Sequence, residues 1–67
     1  MSATTANLIR MANQIAANLA HEKDPAAATR DHIQAFWDPR MRAQIATAPP
    51  ALLSSIAAAA IAGLREP

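Results

Sequence analysis

The apolar residues of this chain recur at helical intervals, in four runs separated by polar or proline-bearing breaks. In the first run, Leu8, Met11, Ala12, Ile15 and Leu19 follow the i, i+3, i+4, i+7 spacing of one helical face. At about 100° per residue these five fall within an arc of about 100°. Ile9, Ala16 and Ala20 widen the face on one side, with Asn13 at its edge, and Arg10 and Gln14 lie opposite. The pattern predicts a helix over about residues 4–20. A second, over 25–37, carries Ala26, Thr29, Ile33, Phe36 and Trp37 on one face, with Asp31 and Gln34 turned away. A short third, over 39–47, places Met41 and Ile45 one turn apart. A fourth, over 51–64, carries a stripe of Leu53, Ile56, Ala57, Ala60 and Leu64. No stretch shows the alternation of a half-buried strand.

The punctuation agrees with this periodicity. Asp24-Pro25 and Asp38-Pro39 are both helix starts, because an Asp side chain accepts from free backbone N–H groups and Pro fits the first turn. Pro39 also disfavours helical geometry at Asp38, which ends the second helix. Pro49-Pro50 breaks the third, and Gly63 weakens the last turn of the fourth. The expected fold is all-α, a small single domain of three to four short helices over residues 1–67.

Composition changes the picture by thinning the core. Nineteen of the 35 hydrophobic residues are alanine, and the large ones are five Leu, six Ile, three Met, one Phe and one Trp. Sixty-seven residues with so few bulky side chains ordinarily need a staple or a partner. The absence of cysteine excludes disulfides, thiolate metal sites and cysteine nucleophiles. A second signal points the same way: the 22 residues between Arg42 and Arg65 carry no charge. A helix on a solvated surface normally shows charge on its outer face, whereas the face opposite the Leu53 stripe offers Ser55, Ala58, Ala59 and Ala62. That face is either tolerated alanine on an ordinary surface or a covered one, and the thin core favours covering.

The formal charge of +1 is too balanced for an electrostatic nucleic-acid footprint, and the basic residues form no run. The first residues lack the basic start and apolar core of a secretory signal, and no apolar stretch is long enough to span a bilayer. A soluble, cytoplasmic protein is expected. Catalysis finds little to work with. His21 and His32 stand eleven apart without metal-ligand spacing, and Ser54-Ser55 lies in a predicted helix with no base in reach. The single glycine cannot build a phosphate-cradling loop. No catalytic, cofactor-binding or metal residue is expected.

Recognition is better served. Arg40 and Arg42 flank Met41 beside Trp37 and diverge by about 200° on a helix. One is expected to pair with Asp38 or Asp31 while the other reaches outward. Trp and Arg are common interface anchors. Trp37 is therefore open between core and interface, and Phe36 is assigned to the core. The candidate partner-interface residues are Asn13, Trp37, Arg40, Met41, Arg42, Ala58 and Ala62.

Two stretches together resemble a known family. Leu8-Ile9-Arg10-Met11-Ala12-Asn13-Gln14-Ile15-Ala16 is similar to the N-terminal helix of the delta subunit of NAD-dependent formate dehydrogenases. Phe36-Trp37-Asp38-Pro39-Arg40-Met41-Arg42 is similar to that family's central motif and is the more specific of the two. The resemblance runs from Leu8 to about Ile45. It implies a small non-catalytic subunit of a soluble, cytoplasmic, multi-subunit enzyme that oxidises formate to CO2 and reduces NAD+. In such a complex the large subunit holds a molybdenum or tungsten bis-pterin centre and iron–sulfur clusters, and a diaphorase part holds FMN. The delta chain would bind, assemble or stabilise the large catalytic subunit and carry no cofactor. Two rival readings come from other classes: a helical nucleic-acid-binding or antitoxin-like regulator, suggested by the helix–Asp-Pro–helix turn, and a self-associating bundle, suggested by the alanine faces.

Overall fold

Four α-helices and one 3-10 turn succeed one another in the computed structural model, which describes residues 4–65. They are α1 (Thr5–Asn18), α2 (Pro25–Phe36), α3 (Pro39–Ile45), the turn Pro50–Leu52 and α4 (Ser55–Arg65), with no strand among the described residues. Each helix begins on a side-chain cap that satisfies a backbone N–H left without an intrahelical partner. Thr4 Oγ1 accepts from the Asn7 amide at 3.1 Å, Asp24 Oδ1 from Ala27 at 3.1 Å, and Asp38 Oδ1 from Met41 at 2.8 Å. Ser54 Oγ accepts from Ala57 at 3.2 Å.

The fourth helix starts later than the apolar stripe suggests. Pro49-Pro50 opens a 3-10 turn closed by Leu52 N–H on Pro49 O at 3.0 Å, and Leu53 then turns extended, with φ −104° and ψ 145°. Ser54 is therefore the cap of α4 and not a residue on a helix surface, and Leu53 reaches the core from the link. The other helices also end earlier than predicted. Leu19 leaves helical geometry after Asn18, and Trp37 is extended, with φ −93° and ψ 140°.

The core takes Leu8, Ala12 and Ala16 from α1, Ile33 from α2, Ile45 from α3, and Ala57 and Ile61 from α4, together with Trp37 and Ala48. Ile9, Ile15, Met41, Leu53, Ile56 and Leu64 pack around its rim. Ile61, absent from the predicted stripe, is buried in it. The most extensive helix–helix packing is between α2 and α4, and small side chains allow it. Gly63 belongs to this contact: a Cβ there would lie 3.0 Å from Arg30 Cδ, so the missing side chain lets the Arg30 stem lie against α4. The packing has a cost at Thr29 of α2, which is fully buried and whose Oγ1 finds no hydrogen-bond partner. An orphaned buried hydroxyl costs about 1–3 kcal/mol.

Candidate functional site

At the α2–α3 junction the two aromatic residues part company. The Trp37 amide still donates to Ile33 O at 2.9 Å, but its backbone has left the helix and its indole enters the core, 6% exposed. Phe36, the last helical residue, is 75% exposed. Trp37, left open between core and interface by the sequence, is a core residue, and Phe36, assigned to the core, is instead the aromatic that faces outward. The reason is angular. Relative to Ile33, helical spacing puts Phe36 about 60° to one side and Trp37 about 40° to the other. The Trp37 side is shared with Arg30, which lies on α4. Phe36 instead carries His32, one turn earlier, against its ring, with centroids 4.7 Å apart and planes tilted by 43°. Four-residue spacing puts both rings on the same shoulder of the helix.

Asn13 also has an internal task. Its Nδ2 donates to Leu52 O at 3.0 Å, and its Oδ1 accepts from the Ser54 amide at 2.8 Å. One side chain on α1 thus clamps both ends of the two-residue step between the 3-10 turn and α4. It also takes the Leu52 carbonyl that a continuing helix would have used, which is part of why α4 begins only after Ser54. Asn13, expected to face a partner, thus has its side-chain amide engaged within the chain.

The remaining interface candidates divide. Arg40 is exposed, Arg42 is half-buried, and neither forms an ion pair among the described residues. The acids expected to hold them are otherwise engaged: Asp38 caps α3, and Asp31 accepts from its neighbour Arg30 at 3.4 Å. Met41, between the two arginines, packs half-buried on the core rim. On α4, Ala62 is exposed and Ala58 half-buried, with Ser55 and Ala59 exposed beside them. The structure therefore gathers Phe36, His32 and the arginines at the α2–α3 junction and leaves the alanines on a separate face.

Convergent chemistry is not assembled here. His21 lies 3.3 Å from Glu22 in the link before α2, with both side chains open to solvent. Among the described residues no group of three or more His, Cys, Asp or Glu side chains could hold a metal ion. No helix among them is long and apolar enough to cross a membrane. Gln44 Nε2 donates to Thr5 Oγ1 at 3.0 Å, a structural tie between α3 and the first turn of α1.

No curated protein and no solved structure is detectably similar to the chain. A family model described as the NADH-dependent formate dehydrogenase delta subunit FdsD matches residues 7–61. The match goes beyond the two stretches that first suggested the likeness. It passes through the Pro49-Pro50 link and into α4 as far as Ile61, well over half of the 67 residues. The chain belongs to the family of NADH-dependent formate dehydrogenase delta subunits.

Proposed function

We propose that this chain is a non-catalytic accessory subunit that binds, assembles or stabilises the large catalytic subunit of an NAD-dependent formate dehydrogenase in the cytoplasm. The family match over residues 7–61 carries this reading. Two physical features support it. Among the described residues the largest side chains buried to below 2% exposure are Leu8, Ile33, Ile45 and Thr29, which is little for a free-standing domain. Phe36 and Arg40 are exposed, and neither Arg40 nor Arg42 forms an ion pair among the described residues.

The redox groups that the family implies do not fit the donors available here. Iron–sulfur clusters need cysteine thiolates, and this chain has none. Nor do the described residues supply a cluster of His, Asp or Glu that could hold molybdenum or tungsten. We assign the bis-pterin metal centre, the iron–sulfur clusters, FMN and the NAD site to other subunits of the complex. A chain that binds only the folded form of its partner stabilises that form by mass action. Such a role needs a surface and no acid, base or ligand.

The test is formate-dependent NAD+ reduction in preparations made with and without this chain, normalised to bound molybdenum or tungsten. The expected result is a lower yield or lifetime of active enzyme without the chain, with turnover per metal centre unchanged within about twofold, because the described residues include no cluster of His, Cys, Asp or Glu that could hold a metal ion. An unchanged yield of metal-loaded enzyme with a large fall in turnover per metal would place the chain in catalysis and refute the reading.

A further inference from the structure

We propose that the face formed by Phe36, His32 and Met11, with Arg10, Arg40 and Arg42 at its edge, is the docking surface of this chain. Its occupant would be an apolar pocket rimmed by carboxylates on the large catalytic subunit. The inference rests on the accessory-subunit reading above and specifies the chemistry of the contact.

Three observations meet at this face. The first is apolar exposure. The large hydrophobic residues that are exposed among the described residues are Phe36 at 75%, Leu52 at 57% and Met11 at 41%. In a chain this poor in bulky side chains, an outward phenylalanine is withheld from a core that could use it. The second is position. Asn13 reaches the start of α4, and Met11 lies about 200° around α1 from it. Arg30 lies on Gly63 of α4, and His32 is again about 200° away around α2, with Phe36 one turn further on. Met11, His32 and Phe36 thus occupy the flanks of α1 and α2 turned away from α4, and Leu52 lies on the other side, where its carbonyl meets Asn13.

The third observation is charge. Arg40 and Arg42 follow Phe36 within six residues at the α2–α3 junction, and Gln44 ties α3 to the first turn of α1, the helix that carries Arg10. Between Phe36 and Arg42 the one carboxylate is Asp38, already engaged with the Met41 amide. A net charge of only +1 thus includes a local excess of cations at this junction. An aromatic anchor ringed by cations without internal acids is complementary to an apolar pocket with an acidic rim. The alanine face of α4 has no such polarity and offers no anchor.

The experiment is co-expression of the full-length chain with the large subunit, followed by affinity measurement on the purified components. The variants are Phe36→Ala, Arg40→Glu and, on the competing face, Ala59→Glu. Phe36, Arg40 and Ala59 are all exposed, and thermal melts of each variant establish that it folds. Phe36→Ala and Arg40→Glu are each expected to weaken binding at least about tenfold, as loss of an interface anchor does. Ala59→Glu is expected to leave it unchanged. Raising salt should weaken the wild-type complex and affect Arg40→Glu much less. If the wild-type chain does not bind the large subunit at all, the accessory reading fails and this inference with it. If the wild type binds and only Ala59→Glu disrupts, the reading stands and the docking face proposed here is wrong. Binding of the isolated chain to duplex or single-stranded nucleic acid, lost in Arg40→Glu, would also overturn the proposal, since the cations would then serve phosphates.

Discussion

In the run from Met11 to Ala16, Ala12 and Ala16 are buried in the core, Ile15 packs on its rim and Asn13 clamps the entry to α4. Only Met11 and Gln14 are exposed. In the run from Phe36 to Arg42 the balance is different. Trp37 enters the core and Met41 packs against it, while Phe36 and Arg40 are exposed and Arg42 is half-buried. Both runs carry the family likeness, yet the first is almost wholly architecture and the second interleaves architecture with surface. A family motif in a chain this small is thus not one kind of evidence. Its inward residues report how the fold closes, and its outward ones report what the fold presents. Because the two kinds alternate along the second run, neighbouring substitutions there should have unrelated consequences.

The sharpest contrast lies between adjacent aromatics. Trp37→Ala removes the largest core side chain and is expected to cost about 3–5 kcal/mol. That approaches the whole stability expected of a chain this short, at about 0.05–0.15 kcal/mol per residue. The wild-type chain alone should melt over a broad, low transition, and Trp37→Ala should show no cooperative melt by circular dichroism. Phe36→Ala should melt within about 0.5 kcal/mol of wild type, as surface changes usually do. Equal destabilisation by both would erase the distinction drawn here between an inward and an outward aromatic.

Asn13 tests the first run. Asn13→Ala leaves Leu52 O and the Ser54 amide without their partner. Losing these two bonds should cost about 1–3 kcal/mol. The damage should be local as well as global, with faster hydrogen exchange at the Ser54 amide than at amides in the middle of α2. A variant that melts like wild type but no longer joins the large subunit would mean that Asn13 acts outward after all. The comparison between the two runs would then collapse from the other side.

How much of this was legible in advance depends on the reach of each interaction. The caps at Asp24 and Asp38 act on amides three residues away, and the Asp-Pro pairs announced them. The four-helix order followed from apolar spacing, which is likewise local. Asn13 was out of reach because its partners lie 39 and 41 residues further along the chain, a separation that no periodicity encodes. The start of α4 was misplaced for the same reason: Ala51, Leu52 and Leu53 suit a helix locally, but Asn13 and the Ser54 cap stop it there. Phe36 and Trp37 straddle the midline of α2, so spacing alone could not say which would be covered. That was decided by where α3 and α4 pack. The fold class was readable because it is the sum of local choices, and the surface was not, because exposure is a property of the assembled whole.

The smallest effect expected separates the two functions of the junction most finely. Asp38 caps α3 through the Met41 amide and is also the one carboxylate between Phe36 and Arg42. Asp38→Ala should cost about 1 kcal/mol for the lost cap. Asp38→Asn should cost almost nothing, because an asparagine side chain accepts the same bond about equally well. The two variants share a second change, the removal of a negative charge next to Arg40 and Arg42. If the partner presents carboxylates here, both should bind the large subunit slightly more tightly than wild type. The gain should be below about 1 kcal/mol and should vanish at high salt, as exposed charge effects do. Stability would then follow the cap and affinity would follow the charge, in variants of a single residue. Weaker binding by Asp38→Asn at unchanged stability would instead mean that the partner offers a cation to Asp38. The junction would then be a cation-reading surface, and the charge argument for the docking face would have the wrong sign.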